Sequence, residues 1–314
     1  MKNKFTSVLA QQLKQWLPAL SRHQQLKHRF AIASTLLGDP NLLAWSNLGF
    51  WHNIPDFKTS SYQTTDYQDI DFKATQYQVA CAQLAQQVGL AAGLQPNDHV
   101  LDLGCGQGAS LVYWTKQFGI GHLSAFEIQP ACIARIQAAN LPQLDGIYQA
   151  AFDQLPLPDQ LLNHAFDAVV CVDAAYHAHF NNFLAVNMAA LKPQGRMAFT
   201  TLSKSNDWSQ ASLLNQALTL KLLNLAYVPA QNLLKNDEIK TTLQQAGFTD
   251  IRLQVLDAEV FAGFARYIKQ LDPPNPFTLA TKADWLKIKM TARLCAFLAR
   301  QRLVHYVLVS ARLA

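Results

Sequence analysis

The chain contains no apolar run of the roughly 18 residues that a bilayer span requires. Its greasiest stretch, "ASLLNQALTLKLLNLAYV" (211–228), is interrupted by two Asn, a Gln and a Lys, so it reads as a helix packed on protein. The start, "MKNKFTSVLAQQLKQWLPAL", is basic but lacks an unbroken hydrophobic core and a small-residue cleavage site. Export is therefore not expected, and the expected compartment is the cytoplasm. Charge is sparse, at 15% of 314 residues against 50% hydrophobic, which excludes a disordered chain. The five cysteines (Cys81, Cys105, Cys132, Cys171 and Cys295) are odd in number and follow no metal-ligand spacing. Free thiols and no metal are the expectation. No internal repeat or low-complexity tract is present.

Acid is missing from residues 1–38, which hold six Lys/Arg, and nearly missing from 282–314, where Asp284 faces seven Lys/Arg. The net charges of the two ends and the body run +6, −7 and +6. Basic termini on an acidic body suit peripheral contact with an anionic membrane surface; two solvated helix faces are the plainer alternative. No dense basic stripe with interleaved aromatics occurs, so nucleic acid is not an expected partner. No feature points to a particular oligomeric state.

What is present divides in two. The front is helical: Phe5, Val8, Leu9, Leu13, Trp16 and Leu17 recur at helical spacing, and a second helix is expected over about 22–37. An aperiodic aromatic stretch follows, "NLGFWHNIPDFKTSSYQTTDYQDIDF" (47–72), then a helix over 75–92. From Asn97 onward strands and helices alternate. Strands are expected at "HVLDLG", "HLSAFEI", "IYQAAF", "FDAVVCV", "RMAFTTL", "DIRLQVL" and "VHYVLVSARL", with helices near 108–118, 180–191 and 236–246. Such alternation predicts an α/β fold, a doubly wound and mostly parallel sheet with helices on both faces.

The informative turn is "HVLDLGCGQGAS" (99–110), with Gly104, Gly106 and Gly108 directly behind a buried strand. Glycine there lets backbone pass close to a ligand, at a helix start with N–H donors to offer. Glu127 ends the next strand, where a carboxylate can accept both hydroxyls of a ribose. The spacing Gly104-x-Gly106-x-x-Ala109 also fits a dinucleotide fingerprint, so an NAD(P)-dependent oxidoreductase is a rival on the glycines alone.

The surroundings separate the two. "VLDLGCGQG" resembles the first motif of class I S-adenosylmethionine (SAM) dependent methyltransferases. "AFEIQP", "AFDQLPLPD", "FDAVVCVDAAYH" and "LKPQGRMAF" resemble the later motifs in family order, with Gln194 where the family has a glycine. Together with "NLGFWHN", they resemble the small-molecule branch, the erythromycin O-methyltransferase type. The resemblance implies a Rossmann-like seven-stranded sheet with an antiparallel last strand, SAM as cofactor, and a small-molecule methyl acceptor. It divides the chain into a helical cap with an aromatic loop (1–93) and a SAM-binding domain (94–314). Helical insertions are expected at about 204–235 and 257–301.

By position, the resemblance implies that Asp102 orients the glycine turn and reaches the methionine amino group, while Gly104, Cys105 and Gly106 pass beside the methionine. Glu127 would hold the ribose and Ile128 would flank the adenine. Asp153 and the Gln154 backbone would meet the adenine amino group, and Cys171 to Asp173 would line the methionine side. The spacing Asp173-x-x-x-His177 resembles that of phosphoethanolamine methyltransferases, which makes His177 the candidate base for an in-line displacement; His179 is its competitor. Phe50, Trp51, Tyr62, Tyr67 and Tyr77 are candidate lid residues. A non-catalytic scaffold of the same fold is the second rival, to be separated by SAM calorimetry. The basic ends and the apolar helix at 211–228 favour a hydrophobic or membrane-borne acceptor.

Overall fold

Parallel strands covered on both faces should be apolar on both, and here the central strands send alternate residues to two separate cores. The computed structural model describes residues 32–54, 75–153, 165–273 and 278–314. Its strands are β1 (His99–Leu103), β2 (His122–Glu127), β3 (Leu144–Gln149), β4 (Phe166–Cys171), β5 (Leu191–Lys204), β6 (Leu234–Lys235), β7 (Phe248–Val255) and β8 (Val304–Leu313). The main path runs β3-β2-β1-β4-β5-β8-β7, with β6 added as a two-residue pairing on β5. β8 is antiparallel to both β5 and β7, between which it is wedged. The expected seven-stranded sheet is thus present with one small additional strand.

Helices α1 (Gln76–Ala92), α2 (Ala109–Phe118), α3 (Pro130–Ala139), α4 (Phe180–Ala190), α5 (Leu213–Leu225), α6 (Asn236–Gln245), α7 (Gly263–Gln270) and α8 (Leu279–Gln301) complete the unit. Val100, Ala125, Val170, Ala198 and Tyr306 point into one core with α1, α2, α7 and α8. Leu101, Phe126, Val169, Phe199 and Val307 point into the other, with α4 and α6. α1 starts with a capping box in which Thr75 Oγ1 accepts from the Gln78 N–H while Gln78 Oε1 accepts from the Thr75 N–H. It shares the sheet's own core, with Tyr77, Leu84 and Val88 fully buried.

Boundaries differ from expectation in two informative places. β3 occupies 144–149 rather than 147–152, because the chain leaves the ladder after Gln149 and turns toward Asp153. β5 begins at Leu191, since Leu191 pairs with Phe166 and Arg196 with Ala168, leaving the "KPQG" turn as an irregularity between the two pairings. In that turn Gln194 takes φ 64°, the left-handed conformation that a glycine adopts without steric cost.

The first helix and most of the second fall outside the described residues, as does the stretch 55–74 with Tyr62 and Tyr67. Where described, the first insertion holds α5 and ends in the two-residue β6, and the second holds a π-helical turn (Ala258–Ala262), α7 and α8.

Candidate active site

The site lies where β1 ends and the sheet order reverses, the position at which open α/β sheets bind ligands. All three glycines of the turn have positive φ (81° at Gly104, 58° at Gly106, 88° at Gly108), so a side chain at any of them would be strained. The N–H groups of Gly104 and Cys105 both donate to the Phe126 carbonyl, that of Gly106 to Glu127 Oε2, and that of Gly108 to the Cys105 carbonyl. The first three of these donors bolt the tip of β1 to the tip of β2, and the fourth closes the turn on itself. A Cβ on Gly106 would stand 2.5 Å from Ser46 Oγ, and one on Gly104 would stand 3.0 Å from Ala174 and Phe152. The chain's own segment 32–54, a strap over the strand tips, closes on Gly106 through Ser46 and on Gly108 through Leu43.

Two carboxylates flank the turn. Glu127 is 5% exposed, with Oε2 taking the Gly106 N–H at 2.9 Å and Oε1 the Gln129 N–H at 2.8 Å. Burial raises its pKa, and these backbone donors oppose the rise. A carboxylate has about four lone-pair sites, so acceptor capacity remains for hydroxyl donors. Asp102 is 1% exposed; Oδ2 accepts from Ser110 Oγ (2.7 Å) and Trp114 Nε1 (2.8 Å), both on α2. Its Oδ1 accepts no hydrogen bond from the described residues.

Burial pushes the Asp102 pKa from 3.8 up to about 6, against the two side-chain donors. The folded state therefore binds this proton more tightly than the unfolded chain. Asp102 contributes stability that is fully present below pH 3.8 and is lost as pH rises through about 6. Asp102→Asn should accordingly flatten the melting temperature against pH across that window, and parallel curves for variant and parent would refute the shift.

The third carboxylate, Asp173, organises the strap. It sits just past β4 at φ 57°, its N–H donating to Thr200 Oγ1 at 2.7 Å. Oδ2 accepts from the Leu48 N–H of the strap at 2.7 Å, and Oδ1 accepts from the hydroxyls of Tyr176 and Tyr306, each at 2.9 Å. The Tyr306 hydroxyl also lies 3.0 Å from Thr200 Oγ1. One carboxylate thus joins the strap, the β4 tip, β5 and β8. Burial raises its pKa, and the three donors oppose this.

Further bonds hold the strap in place. Gln107 Nε2 reaches the Ile32 carbonyl and Ser34 Oγ, Tyr77 hydroxyl donates to the Asn47 carbonyl, and Trp51 stacks on Tyr267 with ring centroids 4.3 Å apart. Of the candidate lid aromatics, Tyr77 is fully buried, Trp51 is buried and Phe50 is half-buried.

His177 occupies a short 3-10 turn after β4, half-buried, with Nδ1 2.8 Å from the Tyr227 carbonyl. A carbonyl can only accept, so Nδ1 carries the hydrogen and the neutral ring keeps its basic lone pair on Nε2. Asn232 Nδ2 donates to the Tyr176 carbonyl, so the first insertion is tied to this turn twice. Asp153 Oδ2 accepts from the His179 N–H at 3.1 Å, supplying the side-chain acceptor that α4 lacks at its own N-cap.

Ile128 is 47% exposed beside Glu127, whereas Cys171 is fully buried among Leu101, Leu103 and Phe126. Cys105 serves the turn through its backbone, and burial raises the pKa of both thiols. Gln154 lies outside the described residues. Among the described residues no group of three or more His, Cys, Asp or Glu is placed to hold a metal ion. Sequence reasoning does not single out Tyr306, since a Tyr in an apolar β-strand reads as core, nor Tyr176, which stands in the short turn after β4 with no pattern of its own.

Comparison with known proteins follows the same lines. A family model described as a methyltransferase domain matches residues 56–253. Phthiotriol/phenolphthiotriol dimycocerosates methyltransferase 1 of Mycobacterium ulcerans (strain Agy99) is 33% identical over 110 residues, 34% of this chain and 39% of that protein. Its counterpart in Mycobacterium leprae (strain TN) is 31% identical over 108 residues, 34% of this chain and 38% of that protein. The matched stretch is thus well under half the length of these relatives.

Among solved structures, geranyl diphosphate C-methyltransferase from Streptomyces coelicolor A3(2) superposes with a TM-score of 0.65 at 13% identity. That match covers 94% of this chain and 99% of that one, and the structure holds Mg2+, geranyl diphosphate and S-adenosyl-L-homocysteine. The cyclopropane synthase MmaA2 from Mycobacterium tuberculosis has a TM-score of 0.65 at 17% identity, over 94% and 99% of the two chains.

Proposed function

Because the chain belongs to the methyltransferase-domain family, we propose that it moves a methyl group from SAM to a small hydrophobic or lipid-like acceptor. The observation that carries this reading is the Glu127 carboxylate lying across the glycine turn, with acceptor capacity left for a ribose diol. Bound SAM supplies a methyl group already activated on a positively charged sulfur. Glu127 would take the ribose hydroxyls and Asp102 Oδ1 the methionine ammonium, with Ile128 beside the adenine. The strap of residues 32–54, pinned by Asp173, excludes water and fixes the geometry of approach, an effect worth up to about 7–11 kcal/mol in well-oriented reactions. His177 Nε2 takes the proton of a hydroxyl acceptor; an amine or carbon acceptor needs no such step.

An apolar acceptor is supported by the relatives named for phthiotriol dimycocerosates and the neighbour solved with geranyl diphosphate. We place the protein in the cytoplasm, where its five buried free thiols would persist, with contact at the inner membrane surface.

The test is incubation with methyl-labelled SAM and a total lipid extract. Label should pass into the organic phase, and unlabelled lipid despite SAM binding would refute the reading. His177→Ala should lower turnover about 10²–10⁴-fold with SAM affinity unchanged. Undiminished turnover would remove His177 as the base.

A further inference from the structure

Helix α8 (Leu279–Gln301) has two unlike faces. Trp285, Ile288, Ala292, Cys295 and Leu298 are buried in the core shared with the sheet. At 100° per residue, Leu279, Lys282, Leu286, Lys289, Arg293 and Arg300 fall within an arc of about 80° on the other side, and all six are exposed. Leu279 is 83% exposed and Leu286 37%, so this outward strip interleaves leucines with four cations. Asp284, the helix's one acid, falls outside the arc and is half-buried. A long surface helix that keeps leucine outward between cations, with no acid of its own on that arc, has the composition of an interfacial helix.

Charge restricts what can cover this strip. A second copy meeting this strip face to face would present the same cations and is repelled. The occupant has to be anionic, and the leucines separate the anionic candidates. On a nucleic acid they would stay wet against phosphate, whereas in a bilayer they enter the acyl boundary while the cations remain with the headgroups.

We propose that the outward face of α8 rests on an anionic lipid surface. This deepens the reading of a lipid-like acceptor and rests on it only for the reason that a membrane is approached at all. α8 runs through Arg302 into β8, which carries Tyr306 into the Asp173 network, so the docked helix and the site belong to one continuous piece of chain.

Flotation of the full chain tests this with phosphatidylcholine vesicles made with and without phosphatidylglycerol. Binding is expected to the anionic vesicles, weakening with salt. The triple variant Lys289→Gln, Arg293→Gln, Arg300→Gln should lower partitioning on the order of a hundredfold, since each cation near such a surface contributes roughly fivefold. Leu279→Ser with Leu286→Ser should lower it about tenfold or more, from the apolar surface returned to water.

A triple variant that floats like the parent would overturn the proposal. So would a leucine variant that binds like the parent while duplex DNA at equal phosphate competes fully, which would assign the strip to nucleic acid. SAM calorimetry on the same samples separates the two readings. Normal SAM binding without flotation sinks the docking face alone, and flotation without SAM binding sinks the reading of the active site alone.

Discussion

Glu127→Ala should raise the dissociation constant for SAM by at least about a hundredfold, read by calorimetry. Two effects add. The ligand loses an acceptor for two hydroxyls, and a hydrogen bond to a charged group is worth roughly 1.5–3 kcal/mol. The Gly106 N–H also loses Oε2, its partner across the turn, and the β1 tip loses one of its bolts to β2. Glu127→Gln keeps an acceptor for Gly106 but gives up the charge, so it should fall between Ala and the parent. Unchanged affinity in both variants would mean that the nucleoside is held elsewhere.

Asp173→Ala should be the most destabilising single change at the site. It leaves the Leu48 N–H and the Tyr176 hydroxyl without their acceptor in a largely buried network, and takes from the Tyr306 hydroxyl one of its two acceptors. Each buried donor left unsatisfied costs about 1–3 kcal/mol, so the loss should be roughly 3–5 kcal/mol. At roughly 2–4 °C per kcal/mol for a domain of a few hundred residues, the melting temperature should fall by about 10 °C. Alanine is also strained at φ 57°, which Asn tolerates. Asp173→Asn therefore separates the terms: it keeps the backbone and one acceptor oxygen and should lose about half as much. If the Ala variant melts with the parent, Asp173 does not pin the strap.

The glycine turn has the geometry expected of it, and part of the chain itself stands against it, which no local pattern foretold. Positive φ at Gly104 and Gly106 follows from a strand that must reverse into a helix within a few residues, which is local and visible in "LDLGCGQG". That Ser46 comes within contact of Gly106 depends on where a segment 60 residues earlier is tied down, and no local pattern records that. His177 illustrates the same division. Its place just past β4 was legible, but the Tyr227 carbonyl that sets its tautomer belongs to an insertion with no fixed relation to it in the sequence.

The chain by itself determined its strands, its helices and the acids at two neighbouring strand tips, because hydrophobic period and turn chemistry act over a few residues. Only the tertiary structure decided the Asp173 network, in which Leu48, Tyr176, Thr200 and Tyr306 meet on or beside one carboxylate. Leu48 and Tyr306 are separated from Asp173 by 125 and 133 residues. They converge because β8 enters the sheet beside β5 and the strap crosses the strand tips. A hydrogen bond between distant residues leaves no periodic trace in either segment, so it exists as information only once the sheet order is set.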